Sequence, residues 1–255
     1  MELTSRKNDT VRRFRELAKD KKLRDEQGVF VIEGDQLCGE AVGCGLDIIT
    51  VLFTEKAREK YPQAVEKLVS ASGSSAVISQ DIAEYISDTK APQGLFAEVS
   101  RRAGTELPDG RLVILDGVQD PGNVGTIICT AEAFGIKGVI LSPKCADVFS
   151  PKVLRASMGS VFRLPCVTGS VPDMIRSLRE NGYDVYGSML DESAHKLGDI
   201  RFGERAAVVI GSEGSGITEE TRAACTGGLY IPITGAESLN AAAAATVMIW
   251  ELSKA

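Results

Sequence analysis

Three loops rich in glycine and small polar residues constrain the fold of this 255-residue chain most strongly. Each loop follows a short apolar segment with the character of a strand. The strand-loop pairs are Leu112–Leu115 with 116–125, Ala206–Ile210 with 211–216, and Leu229–Ile231 with 232–240. Loops at the carboxyl ends of strands form the ligand crevice of an open α/β sheet. The sequence therefore predicts an α/β fold with a ligand site built from these loops.

The third loop leads directly into a helix that opens with small side chains. The chain passes Pro232, turns through Gly235, and continues into five consecutive alanines, Ala241–Ala245. Such small side chains let another backbone or a flat ligand approach closely. Alanine is also the best helix former, so the run alone is equally typical of an ordinary C-terminal helix.

Helix and strand signals alternate along the chain, which predicts a mostly parallel C-terminal sheet and a smaller N-terminal α/β domain. The predicted N-terminal helices are Asp9–Asp25, Leu37–Val42, Gln63–Val69 and Asp81–Ile86, and the strands are Val29–Ile32, Ile48–Phe53, Ala76–Ile78 and Leu95–Val99. Arg101–Gly110 has the composition of a linker and marks the domain boundary. Beyond the linker we predict helices Val124–Phe134, capped by Asn123, and Asp173–Asn181, and strands Leu112–Leu115, Gly138–Leu141, Tyr183–Tyr186, Ala206–Ile210 and Leu229–Ile231.

The composition is that of an ordinary globular protein, with 44% hydrophobic and 25% charged residues. No apolar run approaches the ~20 residues of a membrane span, and the N-terminus lacks an apolar signal core. We therefore expect a cytoplasmic protein with no membrane association. The six cysteines form no Cys-x-x-Cys pair, and the chain has one histidine, so we expect no metal site.

The net charge is −6, but basic residues crowd the first 28 positions. One interpretation is an arm that contacts phosphates through Arg6, Lys7, Arg12 and Arg13. Acidic residues are interspersed among them, so a solvated helix with ion pairs is an equally good interpretation.

The three loops carry an ordered set of motifs. The first is Asn-x-Gly, the second Gly-x-Glu-x-x-Gly, and the third Ile-Pro followed by Ser-Leu-Asn. Their residues are Asn123 and Gly125; Gly211, Glu213 and Gly216; and Ile231, Pro232, Ser238, Leu239 and Asn240. Together with Arg155–Gly159 and Phe162–Pro165, they resemble the SpoU/TrmH family of RNA ribose 2'-O-methyltransferases in the SPOUT superfamily.

The resemblance is strong over residues 108–255 and implies a SPOUT methyltransferase domain with a trefoil knot. It is weaker over residues 1–103, where Phe30–Gly34 resembles the ribosomal-protein-like RNA substrate-binding domain of many family members. Family members generally act as homodimers. An upstream domain of this kind is commoner in members that act on large structured RNA, so ribosomal RNA is favoured as the substrate and transfer RNA comes second.

The resemblance also implies S-adenosylmethionine as the cofactor. Gly211, Ile231 and Leu239 occupy the family's cofactor positions, and Ile233, Ser188 and Met189 are candidate neighbours. The candidate catalytic residues are Asn123, Arg155, Glu213, Ser238 and Asn240.

One position departs from the family pattern. The first motif carries an arginine four residues after its glycine, where this chain has Cys129. A cysteine supplies neither a positive charge nor a bidentate fork. We expect Cys129 to be a buried core residue, with a thiolate base as the alternative, and Arg155 to supply the missing contact with RNA. A non-catalytic RNA-binding protein with the same fold is the alternative function.

Overall fold

A computed structural model describes residues 2–102, 106–189, 194–235 and 238–254. They form two compact units. The first holds the described residues up to 102 together with Phe149–Phe162, and the second holds those of 106–148 and 163–254. Segment 149–162 therefore groups with the first unit, although the resemblance assigned it to the C-terminal domain. Residues 103–105 of the predicted linker lie outside the described part.

The first unit is an α/β structure around a five-stranded mixed sheet of order β1-β4-β3-β5-β2. β4 is parallel to β1 and β3, whereas β5 is antiparallel to β3 and β2. Its elements are β1 (Glu2–Leu3), α1 (Asp9–Lys19), α2 (Lys21–Gln27), β2 (Val29–Glu33), α3 (Asp35–Gly43), β3 (Ile48–Phe53), α4 (Glu55–Lys60), α5 (Pro62–Ala71), β4 (Ser72–Ile78), α6 (Gln80–Ile86), β5 (Leu95–Ser100), α8 (Pro151–Ala156) and the 3-10 turn η1 (Ser160–Phe162).

The predicted single helix Asp9–Asp25 is wrong, because the chain forms two helices there. Asp20 interrupts the helix and caps the second one, with Oδ1 accepting from the backbone N–H of Lys22 at 2.8 Å and of Leu23 at 3.3 Å. The predicted apolar face of α1 is present, since Val11, Phe14 and Leu17 are buried.

The second unit contains a seven-stranded sheet of order β10-β12-β9-β11-β6-β7-β8 in which every strand pair is parallel. Its elements are β6 (Leu112–Asp116), α7 (Pro121–Ala133), β7 (Gly138–Leu141), β8 (Cys166–Thr168), α9 (Val171–Glu180), β9 (Asp184–Ser188), β10 (His195–Lys196), β11 (Ala206–Gly211), α10 (Glu219–Ala224), β12 (Gly227–Tyr230) and α11 (Ala241–Ser253). β6, β7 and β11 are buried along their whole length, as expected for central strands of a sheet covered on both faces.

The start of α7 differs from the prediction. Asn123 is not the N-cap; the helix begins at Pro121, and Asp120 caps it by accepting from the N–H of Asn123 at 2.9 Å. Proline suits the first helical position because its φ is already helical and its missing N–H has no partner there. Asn123 thus lies inside the first turn, which frees its side chain for the site.

Four neighbouring strands end at the same edge of the parallel sheet. β12 ends at Tyr230, β9 at Ser188, β11 at Gly211 and β6 at Asp116. The three motif loops therefore leave the sheet side by side. No helix within the described residues is long and apolar enough to cross a membrane.

Candidate active site

A cavity of about 300 Å³ lies at this edge of the second unit. All six residues expected to bind the cofactor line it, namely Ser188, Met189, Gly211, Ile231, Ile233 and Leu239. Glu213 and Ser238 of the expected catalytic set line it as well. The carboxyl edge of the sheet thus combines apolar walls with a few polar side chains.

Eight further lining residues were not predicted as site residues, although Gly216 belongs to the second motif and Ala241 and Ala244 to the alanine run. They are Ile210, Ser212, Gly216, Leu229, Tyr230, Ala241, Ala244 and Met248. Three of them lie on one face of α11, since positions 241, 244 and 248 are spaced by three and four residues. That spacing, together with the small alanine side chains, was the available signal for a helix face lining a ligand site.

A chain of hydrogen bonds joins the three motifs beside the cavity. Nδ2 of Asn240 donates to Oδ1 of Asn123 at 3.1 Å, and Nδ2 of Asn123 donates to the carboxylate of Glu213. Oδ1 of Asn240 caps α11, accepting from the N–H of Ala242 at 2.9 Å and of Ala243 at 3.3 Å. Because both amides accept through Oδ1 and donate through Nδ2, their orientation is fixed.

The second motif forms a tight loop. Ser212 and Gly216 exchange two backbone hydrogen bonds of 3.0 Å, which close the loop on itself. A Cβ at Gly211 would collide with the backbone of Gly216 and Ile217. The N–H of Thr218 donates to the buried carboxylate of Asp116 at 2.8 Å, which ties the end of the loop to β6. Glycine at 211 is therefore needed by the loop itself.

Arg155 lies in the first unit, in α8, and is not among the described residues that line the cavity. Its guanidinium forms a bidentate ion pair with Asp88, with N···O distances of 2.7 and 2.8 Å. The hydrogen bonds from Arg155 hold the pKa of Asp88 below its usual value. The arginine expected at the catalytic centre is thus already engaged by a carboxylate.

Cys129 is half-buried, so the prediction of a buried core residue is wrong. Val124, Ile127, Ile128 and Ala131 are buried, so Cys129 lies at the edge of the face of α7 that packs into the core.

The expected RNA-contacting residues differ in how firmly they are held. Nε of Arg13 donates to both oxygens of Glu98 at 2.9 and 3.0 Å, and Glu98 is only 1% exposed. Arg6 pairs with the exposed Asp81, and Arg12 approaches Glu16 at 3.8 Å one turn along α1. Lys7 donates its backbone N–H to Ser5. Arg13 is therefore held by a buried carboxylate. Arg6 and Arg12 form exposed ion pairs, in which a phosphate group can replace the carboxylate.

A parallel α/β unit with strand-end loops, a cavity of about 300 Å³ and a polar relay beside it (the hydrogen-bonded Asn240, Asn123 and Glu213) is typical of ligand-binding enzymes of the α/β class. Residues 110–250 match the SpoU rRNA methylase family, and residues 8–97 match the MRM3-like substrate binding domain. The chain belongs to the SpoU rRNA methylase family.

Two relatives align with nearly the whole chain. It is 34% identical over 253 residues to the 23S rRNA (guanosine(2553)-2'-O)-methyltransferase RlmP of Bacillus subtilis, covering 98% of each chain. It is 31% identical to the 23S rRNA (uridine(2479)-2'-O)-methyltransferase of Streptomyces viridochromogenes, covering 98% of this chain and 90% of that protein.

A solved structure agrees with these relatives. The AdoMet-bound rRNA methyltransferase from Sinorhizobium meliloti superposes with a TM-score of 0.87 at 31% identity, covering 99% of this chain and 97% of that one. The α/β fold with a parallel sheet is thus that of the SpoU methyltransferases.

Proposed function

We propose that this protein is an S-adenosylmethionine-dependent RNA ribose 2'-O-methyltransferase that acts on ribosomal RNA. The hydrogen-bonded chain Asn240–Asn123–Glu213 beside the cavity carries this conclusion, because it joins polar residues of all three motifs at one place. The two relatives described above are both named as 23S rRNA 2'-O-methyltransferases. They favour ribosomal RNA over transfer RNA.

The cavity suits the cofactor. Its volume of about 300 Å³ falls at the lower end of the range for ligand sites, and such sites combine apolar walls with a few polar groups. Ile231, Ile233 and Leu239 offer an apolar slot for an adenine ring, and the strand-end backbone at Gly211 and Tyr230 offers donors and acceptors. When bound, S-adenosylmethionine supplies an electrophilic methyl group.

The polar relay orients the nucleophile. A ribose 2'-hydroxyl is a weak nucleophile, so holding it in line with the methyl group supplies much of the rate. Glu213 is held by Asn123 through one carboxylate oxygen, and the other can accept a hydrogen bond from the hydroxyl. Ser238 also lines the cavity, which supports a role in orienting the same group.

The ion pair with Asp88 favours a positioning role for Arg155, in place of the direct role in catalysis expected from the sequence. The bidentate pair anchors α8 to the segment after α6. RNA contact by this region remains part of the proposal.

We further propose the family's trefoil knot in the second unit, a homodimer, and a cytoplasmic location. The dimer is supported by an apolar patch of Val247, Trp250 and Phe134. Val247 is 40% and Trp250 51% exposed, and the rings of Phe134 and Trp250 meet edge to face at 5.4 Å. Exposed apolar patches mark interaction sites.

Two experiments test the function. Calorimetry should show S-adenosylmethionine binding in the micromolar range, and no heat from folded protein would remove the cofactor assignment. Mapping ribose methylation in cellular RNA with and without the protein should reveal a lost 2'-O-methyl group in ribosomal RNA. An unchanged map would contradict the assigned activity.

A further inference from the structure

The turn between α8 and η1 holds a methionine in a backbone conformation that residues with side chains rarely adopt. Met158 has φ 51° and is the only residue other than glycine with a positive φ in the described part of the chain. Glycine would adopt this conformation without strain. Strained residues of this kind concentrate at functional sites. A methionine at position 158, where glycine would be unstrained, therefore indicates a role for the side chain.

The turn is rigid. The N–H of Met158 donates to the carbonyl of Arg155 at 3.1 Å, and the N–H of Ser160 donates to the carbonyl of Ser157 at 2.9 Å. On one side, Gly159 lies against the Cβ and Cγ of Glu40. The side chain of Met158 is nevertheless 52% exposed. A fixed backbone thus presents an apolar side chain to a partner.

Exposed positive charge lies near the same turn. Lys152 is exposed on α8, six residues before Met158. Lys90 is exposed in the loop that follows α6. The pKa of Asp88 in this loop is lowered by its hydrogen bonds from Arg155 and, to a smaller degree, by the charge of Lys152.

Besides Asp88, two carboxylates lie in this region: Glu40 packs its Cβ and Cγ beside Gly159, and Glu33 is half-buried. Glu33 accepts from Oγ of Ser87 at 2.6 Å and from the N–H of Gln93 at 3.1 Å. Burial raises the pKa of Glu33 above its usual value. Arg155 holds Asp88, and Ser87 and Gln93 donate to Glu33, so the exposed Lys152 and Lys90 can contact an anionic partner.

We propose that Met158 packs against an unpaired base of the RNA substrate while Lys152 and Lys90 contact the adjoining phosphates. This inference rests on the proposed function, which supplies RNA as the partner. A thioether is polarisable and packs well against aromatic rings. An ammonium group binds phosphate as a point charge. Unpaired bases are the parts of structured RNA that side chains can reach and stack upon.

The test measures binding to purified, deproteinised large-subunit ribosomal RNA over a series of salt concentrations. Met158→Gly should weaken binding about tenfold, the scale of one lost base contact, with the salt dependence unchanged. Met158→Leu should retain most of the affinity. Lys152→Gln should reduce the salt slope by about one unit, whereas Lys67→Gln, an exposed lysine on α5, should leave it as in the wild type.

Unfolding of Met158→Gly cannot be mistaken for a loss of RNA binding, because glycine relieves the strain at position 158. Met158→Gly should melt no lower than the wild type and bind S-adenosylmethionine equally well. The inference is overturned if Met158→Gly binds RNA as tightly as the wild type does. It is also overturned if Met158→Gly loses self-association and keeps its RNA affinity. If the wild type methylates the RNA and Met158→Gly binds it normally, only this inference fails. If the wild type neither binds nor methylates it, the proposed function fails too.

Discussion

Asn240 donates a hydrogen bond to Asn123 across 117 positions of sequence, at 3.1 Å. The same side chain caps the last helix through its oxygen, and Asn123 passes the contact on to Glu213. A single amide therefore fixes both the start of α11, whose face lines the cavity, and the carboxylate beside it. In the proposed function, this arrangement links the cofactor wall to the residues that orient the nucleophile.

Substitution of Asn240 separates these two tasks. Asn240→Ala removes the cap, which costs about 1 kcal/mol, and should slow methyl transfer at least tenfold, or about 1.4 kcal/mol of barrier. Asn240→Asp keeps a capping oxygen but has no N–H to donate, so stability should stay near wild type while activity falls. Thermal unfolding and transfer kinetics distinguish the effects. Full activity in Asn240→Asp would show that the relay is unimportant.

Gly211 and Gly214 form a matched pair within one loop. Gly211→Ala forces the backbone at Gly216 and Ile217 to move, so the affinity for S-adenosylmethionine should fall at least tenfold. Gly214→Ala meets nothing within 4 Å and should bind the cofactor as the wild type does. Calorimetry on both variants makes the comparison. Equal affinities would contradict the role given to the closed loop.

Much of the fold was predictable because apolar strand patterns and glycine loops are local signals. Ile48–Phe53 and Gly138–Leu141 form strands as predicted. The break at Asp20 was missed because an aspartate on the polar side of an amphipathic pattern looks like any other solvated residue. The grouping of segment 149–162 depends on contacts distant in sequence, such as the ring of Phe30 at 4.9 Å from Phe149 and 5.9 Å from Phe162. No local pattern encodes them.

In the candidate site, too, local patterns were predictable and contacts distant in sequence were not. Gly211 and Glu213, which the motif spacings singled out, line the cavity, and Asn240 lies in the hydrogen-bonded chain beside it; their roles in the reaction stay predictions. The engagement of Arg155 by Asp88 could not be read from sequence, since 67 positions separate the two residues.

Arg13 and Arg12 should behave differently when neutralised. Arg13→Gln leaves the buried carboxylate of Glu98 without its ion pair, so the free energy of unfolding should drop by about 1–3 kcal/mol. Arg12→Gln should leave stability nearly unchanged and reduce the salt slope of RNA binding by about one unit. Denaturant unfolding and salt titration measure the two effects. A stable Arg13→Gln variant with a flattened slope would restore Arg13 as a phosphate contact.

The apolar patch of Val247, Trp250 and Phe134 predicts a dimer that charge disrupts. Val247→Lys places a cation in the patch and should convert the protein to a monomer in sedimentation experiments. Glu180→Lys introduces the same residue at an exposed position of α9 and should leave the assembly intact. A Val247→Lys protein that sediments as the wild type does would place the interface elsewhere, or show that there is none.

Transfer of a labelled methyl group from S-adenosylmethionine to purified large-subunit ribosomal RNA tests the central claim most directly. Nuclease digestion should place the label on a ribose, in a dinucleotide that resists alkaline hydrolysis because its 2'-oxygen is methylated. We predict transfer by the wild type, little change in Cys129→Ser, and at least a tenfold loss in Asn240→Ala. No transfer by the wild type, with activity gained in Cys129→Arg, would contradict the account and identify a non-catalytic RNA-binding protein.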